Sequence, residues 1–388
     1  CLLSRGLGDV YKRQNIYLSW VMKSELNYVT YQTFPAKTAN SLQTITNIKY
    51  LIRNGIKVNL YFPMRERESS DNLSEIQNFY QINETFEVFG LKHNLPHGRV
   101  KIFKKYAFQY SHYIWARKTI KKYFYNKAEN YIFTRSDWIA YFAAKKGNKV
   151  IFECHQRSRT RDFVIRRISN LQNVAIIFLN ENLRDSYPSI NNSIVLHNGV
   201  DHELFDIQNL EKRKSIVFVG SLSRFNESRG LPDFIKTYKN EKLYESYNLE
   251  IVGGNIEEIK ELKNLVNNLK ITNYVTLHGY LKRKSAIDII SKCSIGLLIN
   301  SDENQHSTKY TSPLKYFEYL YGGLFVIASD YPSHRSLPFN KMISFFNLKE
   351  KNSLSNALRN IPIIDLEENY LKEITVDKRV KKIIKLFN

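Results

Sequence analysis

Short apolar segments of strand length alternate with amphipathic segments of helix length along this chain, and the alternation runs through twice. In the first run the predicted strands are 27–31, 57–62, 131–133, 149–152, 174–179 and 194–196. Between the first two, Leu42, Ile45, Ile48, Leu51 and Ile52 share one helical side, and Gly55 stands where a helix stops. After His202 the rhythm restarts. Strands are predicted at 215–219, 249–252, 274–277, 294–299 and 324–328, and helices at 234–238, 257–269, 286–292 and 313–321. Such an order predicts an α/β protein with parallel sheets covered on both faces. Two units then fit into 388 residues, an N-terminal one over 22–201 and a C-terminal one over 202–370. The last segment, 371–388, belongs to a helical stretch from about 366 to 387, by its apolar spacing, that is expected to return to the N-terminal unit. Ligands of open parallel sheets sit beyond the carboxyl ends of the strands. Two sheets facing each other would line one central cleft.

Composition narrows the class. Hydrophobic residues make up 43% of the chain, enough for ordinary cores, and no apolar run approaches the roughly 18 residues of a membrane span. The three cysteines, Cys1, Cys154 and Cys293, are scattered and form no CxxC pair. They suit neither a disulfide framework nor a thiolate zinc site, and a reducing cytoplasm is the expected compartment. Residues 1–14 (CLLSRGLGDVYKRQ) lack a signal-peptide pattern and read as a non-native scar, with Met22 the expected natural start. The net charge of +21 is uneven: residues 1–200 hold 30 Lys and Arg against 14 Asp and Glu, whereas residues 201–388 hold 28 against 23. The first half is therefore expected to meet something anionic, or to use charge for solubility.

The stretch 306–330, HSTKYTSPLKYFEYLYGGLFVIASD, carries the most chemistry. Ser312 suits an N-cap, Pro313 the first helical position, and Gly322–Gly323 the stop. The N–H groups and positive dipole end of this helix would face the strand ends, where they suit a diphosphate. Glu318, about one and a half turns in, lies near enough to that end to reach a ribose hydroxyl pair. By spacing alone, the more ordinary reading of Glu318 is a solvated helix carboxylate.

This segment resembles the donor-binding motif of the retaining group 1 glycosyltransferases, which have the two-domain GT-B fold with Rossmann-like, doubly wound domains facing a central cleft. Ser312, Pro313, Lys315 and Glu318 match one branch of that motif. The resemblance implies that Glu318 holds the donor ribose. The motif's first Glu falls on Tyr310 here, and Glu303, seven positions earlier, is out of register with it. Residues 216–231, IVFVGSLSRFNESRGL, are similar to the family's strand, glycine and basic segment. Arg229 then stands at a diphosphate-contacting position, while the family's other basic position is Ser221, with Arg224 as its substitute. The implied donor-binding set is Gly220, Arg224, Arg229, Thr311, Ser312, Pro313, Leu314, Lys315 and Glu318. Residues 196–205, LHNGVDHELF, resemble the family's interdomain segment; Asn198 and Gly199 signal a turn and Asp201 a cap. In KVIFECH, residues 149–155, His155 matches the family's active-site histidine, and Thr134-Arg135-Ser136 resembles a strand end that accompanies it. His155, Arg229 and Glu318 are thus the catalytic candidates. Cys154 reads as a small buried side chain.

The first strand-to-helix loop, FPAKTANS, lacks the glycine pair of many relatives. Thr38, Ala39, Asn40 and Ser41 stand in as an acceptor or phosphate loop at a helix start. No HExxH, DxD or other metal-ligand spacing occurs, so no metal or other cofactor is expected and positive groups are assigned to the leaving diphosphate.

Residues 99–127 hold nine Lys and Arg and no acid, with aromatics such as Tyr106, Tyr110, Tyr113, Trp115 and Tyr123 interleaved. A helix with aromatics toward the core, a surface for anionic lipid, and a nucleic-acid face all fit, the last least well. The run RSRTRDFVIRR, 157–167, adds five arginines near His155. A lipid-linked or phosphate-bearing acceptor accounts for both runs. The sequence therefore predicts metal-independent transfer of a sugar, with retention, from a nucleoside diphosphate sugar to a glycan or lipid-linked acceptor. The expected setting is bacterial cell-surface polysaccharide synthesis in the cytoplasm or at the inner face of the plasma membrane. A catalytically silent basic protein on the same scaffold and a nucleotide-sugar epimerase are the alternatives.

Overall fold

The computed structural model describes residues 25–66, 68–93, 104–125, 130–190, 192–206, 211–224, 227–362 and 368–387. Residues 1–21 and the two ends of the basic stretch, 99–103 and 126–127, lie outside them. The chain divides into two compact units. One comprises residues 1–178, 189–194 and 380–388, the other 179–188 and 195–379. Where the sequence reading has one crossing near 202, the chain thus enters the second unit first at 179 and leaves it at 380.

The first unit is built on a seven-stranded sheet. Its strands are β1 (Glu25–Val29), β2 (Lys57–Met64), β3 (Glu87–Lys92), β4 (Tyr131–Thr134), β5 (Lys149–Cys154), β6 (Val174–Phe178) and β7 (Ser193–Val195). Their order is β3-β2-β1-β4-β5-β6-β7, and the pairs from β3 to β6 are parallel. The helices are α1 (Ala39–Arg53), α2 (Leu73–Tyr80), α3 (Lys104–Tyr123), α4 (Asp137–Lys145) and α5 (Arg159–Ile168). Helix α1 buries Ile45, Ile48 and Leu51 and stops at Asn54, followed by Gly55 at φ +81°, where a left-handed residue costs glycine least.

In the second unit the strands are β8 (Arg213–Val219), β9 (Asn248–Val252), β10 (Val275–Gly279), β11 (Cys293–Leu298), β12 (Phe325–Ser329) and β13 (Ile343–Phe346). They are all parallel, in the order β10-β9-β8-β11-β12-β13. This is an open sheet wound both ways from β8, and its helices are α6 (Leu231–Asn240), α7 (Ile256–Asn268), α8 (Arg283–Lys292), α9 (Leu314–Tyr321) and α10 (Ser353–Arg359). The two-residue period of a strand divides its core. Ile216 and Phe218 of β8 join Phe234, Ile235, Tyr238 and Leu262 on one face. Val217 joins Ile287, Ile290, Tyr316 and Leu320 on the other.

One contact fixes α9 under the sheet. Tyr319 lies against Gly296 of β11, where an added Cβ would sit 2.3 Å from the ring. Its hydroxyl accepts from the Val219 N–H at 3.1 Å and donates to the Leu297 carbonyl at 3.4 Å. A buried phenol is satisfied in this way, and the helix start is held beside the ends of β8 and β11.

Candidate functional site

The approach to α9 differs from the expectation by one residue. Pro313 is the N-cap and Leu314 the first helical residue. Ser312 cannot cap the helix, because its hydroxyl accepts from the Asn198 N–H at 3.3 Å. Asn198 also donates its side-chain amide to the Ser312 carbonyl, and Asn180 donates to the Thr311 carbonyl at 3.3 Å. The Asn198-Gly199 turn is thus a clamp on the helix entry. Gly199 itself passes so close to Thr375 and Val376 that a Cβ would fall 2.8 Å from their backbone. Asp201 precedes a turn of 3-10 helix at His202–Leu204 but makes no side-chain cap bond to it.

Around the tip of α9 the site is cationic. The Lys315 side chain is buried, its Nζ has no hydrogen-bond partner, and it rests 3.8 Å from the centroid of the Phe218 ring. Burial, then the neighbouring Arg229 guanidinium, push its pKa well below the ordinary lysine range, against the opposing pull of Glu318. Arg229 donates to Asn300 and to Ser221, both at 3.2 Å. Ser221, at the family's second basic position, therefore orients Arg229. Gly220, at φ +138°, has open space where a Cβ would stand. Arg224 lies in a two-residue ribbon strand, Ser223–Arg224, but its side chain is outside the described residues. Leu314 is half-buried at the helix start, where first-turn N–H groups lack intrahelical acceptors.

Glu318 is buried and paired with Arg283, the first residue of α8. Since α8 starts just beyond the carboxyl end of β10, this pairing turns the carboxylate toward the strand-end side of the sheet. Arg283 is a partner that the sequence reading missed; only its position after a strand hints at it. His334 was missed as well. It is fully buried after β12, donates Nδ1–H to the Ser329 carbonyl at 2.7 Å, and leaves Nε2 without a partner. Burial pushes its pKa down to about 4, with the Lys315 charge acting in the same direction. Tyr310, at the position of the family's first Glu, is buried, and Glu303 is exposed.

In the first unit His155 belongs to a network. Arg135 donates to His155 Nδ1 at 2.7 Å, to Asn40 at 3.0 Å and to Gln43 at 3.0 Å. Arginine can only donate, so Nδ1 accepts and the proton sits on Nε2, which donates to the fully buried Glu153. Gln43 donates to the same carboxylate at 3.2 Å. Burial and then Arg135 push the His155 pKa down to about 3, so the ring is neutral. Both ring nitrogens are engaged within the unit.

The loop before α1 is also used internally. Thr38 caps the helix by accepting from the Ser41 N–H at 3.2 Å. The buried Ser41 hydroxyl turns back to the Ala36 carbonyl at 2.7 Å, so it is not offered to a ligand as expected. Ala39 and Asn40 remain exposed at the tip. In the arginine run, Arg161 is buried against Asp137 at 2.6 Å, whereas Arg159, Arg166 and Arg167 are exposed. Cys154 is buried and its thiol pushed up to about 12, which leaves no thiolate for nucleophilic use.

Residues 201–338 match the family described as glycosyl transferases group 1. That stretch is similar to a group 1 glycosyl transferase domain. It contains Arg229, Lys315, Glu318 and His334 together, and the chain is a glycosyltransferase with the two-sheet GT-B fold. No curated protein matches the chain significantly. Among solved structures it resembles sucrose-phosphate synthase from Thermosynechococcus elongatus, at 15% identity and a TM-score of 0.63, covering 94% of this chain and 95% of that one. The E. coli trehalose-6-phosphate structure bound with UDP-2-fluoro glucose matches at 12% identity and a TM-score of 0.60, over 94% and 99%. Anabaena HepE in complex with UDP and glucose matches at 13% and 0.56, over 92% and 94%. These likenesses are of fold.

Proposed function

We propose that the glycosyltransferase moves a sugar, with retention and without a metal, from a nucleoside diphosphate sugar to a glycan or lipid-linked acceptor. The buried Lys315 amine without a partner, with Arg229 beside it at the helix tip, carries the reading. A buried amine without a hydrogen-bond partner and with the Arg229 charge beside it is costly unless something anionic arrives, and a diphosphate supplies it. Lys315, Arg229 and the first-turn N–H groups of α9 then neutralise the leaving group, with Arg224 and Gly220 along its path. Glu318 takes the ribose hydroxyls in place of, or shared with, Arg283. The acceptor oxygen attacks the sugar carbon from the leaving-group side, and a diphosphate oxygen takes its proton. His155, neutral and fixed in one tautomer, shapes the sugar site. The bound UDP moieties of two structures of like fold support a nucleotide-sugar donor.

Work in cell-surface polysaccharide synthesis, at the cytoplasmic face of a bacterial membrane, fits the same reading. Among the described residues no helix is long and apolar enough to cross a membrane. Helix α3 buries Trp115 and leaves Tyr106, Tyr110, Arg117, Lys118, Lys121 and Lys122 exposed, a combination that suits an anionic lipid surface. The deciding experiment is a thermal-shift panel with UDP, GDP, ADP and TDP. One nucleotide should stabilise the chain selectively, and Glu318→Ala and Arg229→Ala should abolish that response. Indifference to every nucleotide would sink the proposal.

A further inference from the structure

A second cationic cluster lies in the first unit, on residues that the donor reading does not use. Three neighbouring strands end together there. Tyr31 stands two residues beyond β1, Arg65 one beyond β2 and His93 one beyond β3, in a sheet ordered β3-β2-β1. Helix α3 adds Ser111, His112 and Trp115. The Tyr31 hydroxyl is 2.8 Å from His93 Nε2 and 2.7 Å from Ser111 Oγ, and those two atoms are 2.8 Å apart. The Tyr31 ring stacks on His112 at 4.4 Å and carries the Arg65 guanidinium at 4.6 Å.

The polar accounting does not close. His112 is 4% exposed, yet its Nε2 has no partner. Arg65 has two buried nitrogens, Nε and Nη1, that bond nothing. Buried donors are ordinarily satisfied, and the guanidinium cannot lose its charge. Among the described residues, the charges that bear on His112 are those of Arg161, Arg65 and His93, with no carboxylate among them. Of these, Arg161 is matched by Asp137. A purely structural cation at this place would have drawn a carboxylate, as Arg161 did.

We propose that this cluster is an oxyanion site, in which Arg65, with His112, Ser111 and Tyr31, holds the phosphate or carboxylate group of the acceptor. Calling that group part of the acceptor rests on the glycosyl-transfer reading; the anion site itself does not. Arg65 supplies charge-assisted hydrogen bonds and the hydroxyls complete the shell. The location follows the rule that ligands of parallel sheets gather beyond the strand ends.

The test is calorimetric titration of the full chain with inorganic phosphate and, separately, with acetate. Arg229→Ala serves as the background in which the donor site is silenced. Phosphate binding should survive Arg229→Ala and weaken about tenfold or more in Arg65→Gln. His112→Phe, which keeps the stacking on Tyr31, should weaken it less. Arg65→Lys keeps the charge without the planar fork and should fall between; it also guards against loss of fold in Arg65→Gln, with melting temperature checked for each variant. A stronger acetate than phosphate response, lost in Arg65→Gln, would assign the site to a carboxylate. Binding that vanishes with Arg229→Ala and ignores Arg65→Gln would overturn the proposal, as would no binding of either anion. Nucleotide binding that depends on Glu318 and Arg229 is measured apart, so the two ideas fail separately.

Discussion

Arg135 and Lys315 are both buried cationic side chains near the ends of parallel strands, and their surroundings are opposite. Arg135 spends its donors on His155, Asn40 and Gln43, and the network ends on the buried Glu153 carboxylate. Lys315 has a phenylalanine face and no hydrogen-bond partner, while the nearest acid on its helix, Glu318, is committed to Arg283. The first arrangement engages its cation on partners within the unit and positions a neutral histidine. The second is complete only when an anion enters. A buried group that is already satisfied shapes a site, and one left unsatisfied marks where substrate charge goes.

Substitution should break the symmetry between the two cations in opposite directions. Arg135→Met removes the donor that three side chains share and should cost about 3–5 kcal/mol of stability in urea unfolding. Lys315→Met keeps the length of the side chain and removes an amine without a partner. It should stabilise the unliganded chain by about 1–3 kcal/mol while weakening nucleoside diphosphate binding by about tenfold or more. Destabilisation by Lys315→Met would mean that the amine is already satisfied in solution, and the contrast would collapse.

The sequence carried the architecture well because both sheets are parallel and buried. Their strands read as apolar runs, and the helix before Gly55 shows its period openly. Strand β3 (EVFGLK) was missed because Gly90 and the terminal charges break its apolar run, and β13 (ISFF, 343–346) was missed as well. Local patterns also singled out Arg229, Lys315 and Glu318. They could not show Arg283 beside Glu318 or His334 near Lys315, since those meetings depend on which strands are neighbours. The same limit hid Ser312, whose hydroxyl looked free for capping but is taken by Asn198 across the fold. Spacing reads what lies along an element, and the sheet order decides what lies across it.

Acidity offers a smaller and more general test of the same contrast. Burial pushes His112 and His155 down to about 3 and His334 to about 4, all below the ordinary value of 6.5. In the unfolded chain these rings take up protons near pH 6.5; in the folded chain they stay neutral until much lower pH. The unfolded state therefore binds more protons in between, and the stability these groups contribute is present above pH 6.5 and lost as pH falls toward 3–4. From pH 7 to 5.5 the loss should be about 1 kcal/mol for each histidine, read from urea midpoints at the two pH values. Anion binding should change one of the three selectively. Burial is the main cause of the His334 shift, and a diphosphate beside Lys315 offsets only the positive charge that adds to it, so saturating nucleotide should flatten the pH dependence by a small part of the His334 share. His155, whose partners are all internal, should keep its share unchanged. A nucleotide that leaves the whole slope intact would place the diphosphate away from Lys315, and the unpartnered amine would need another explanation.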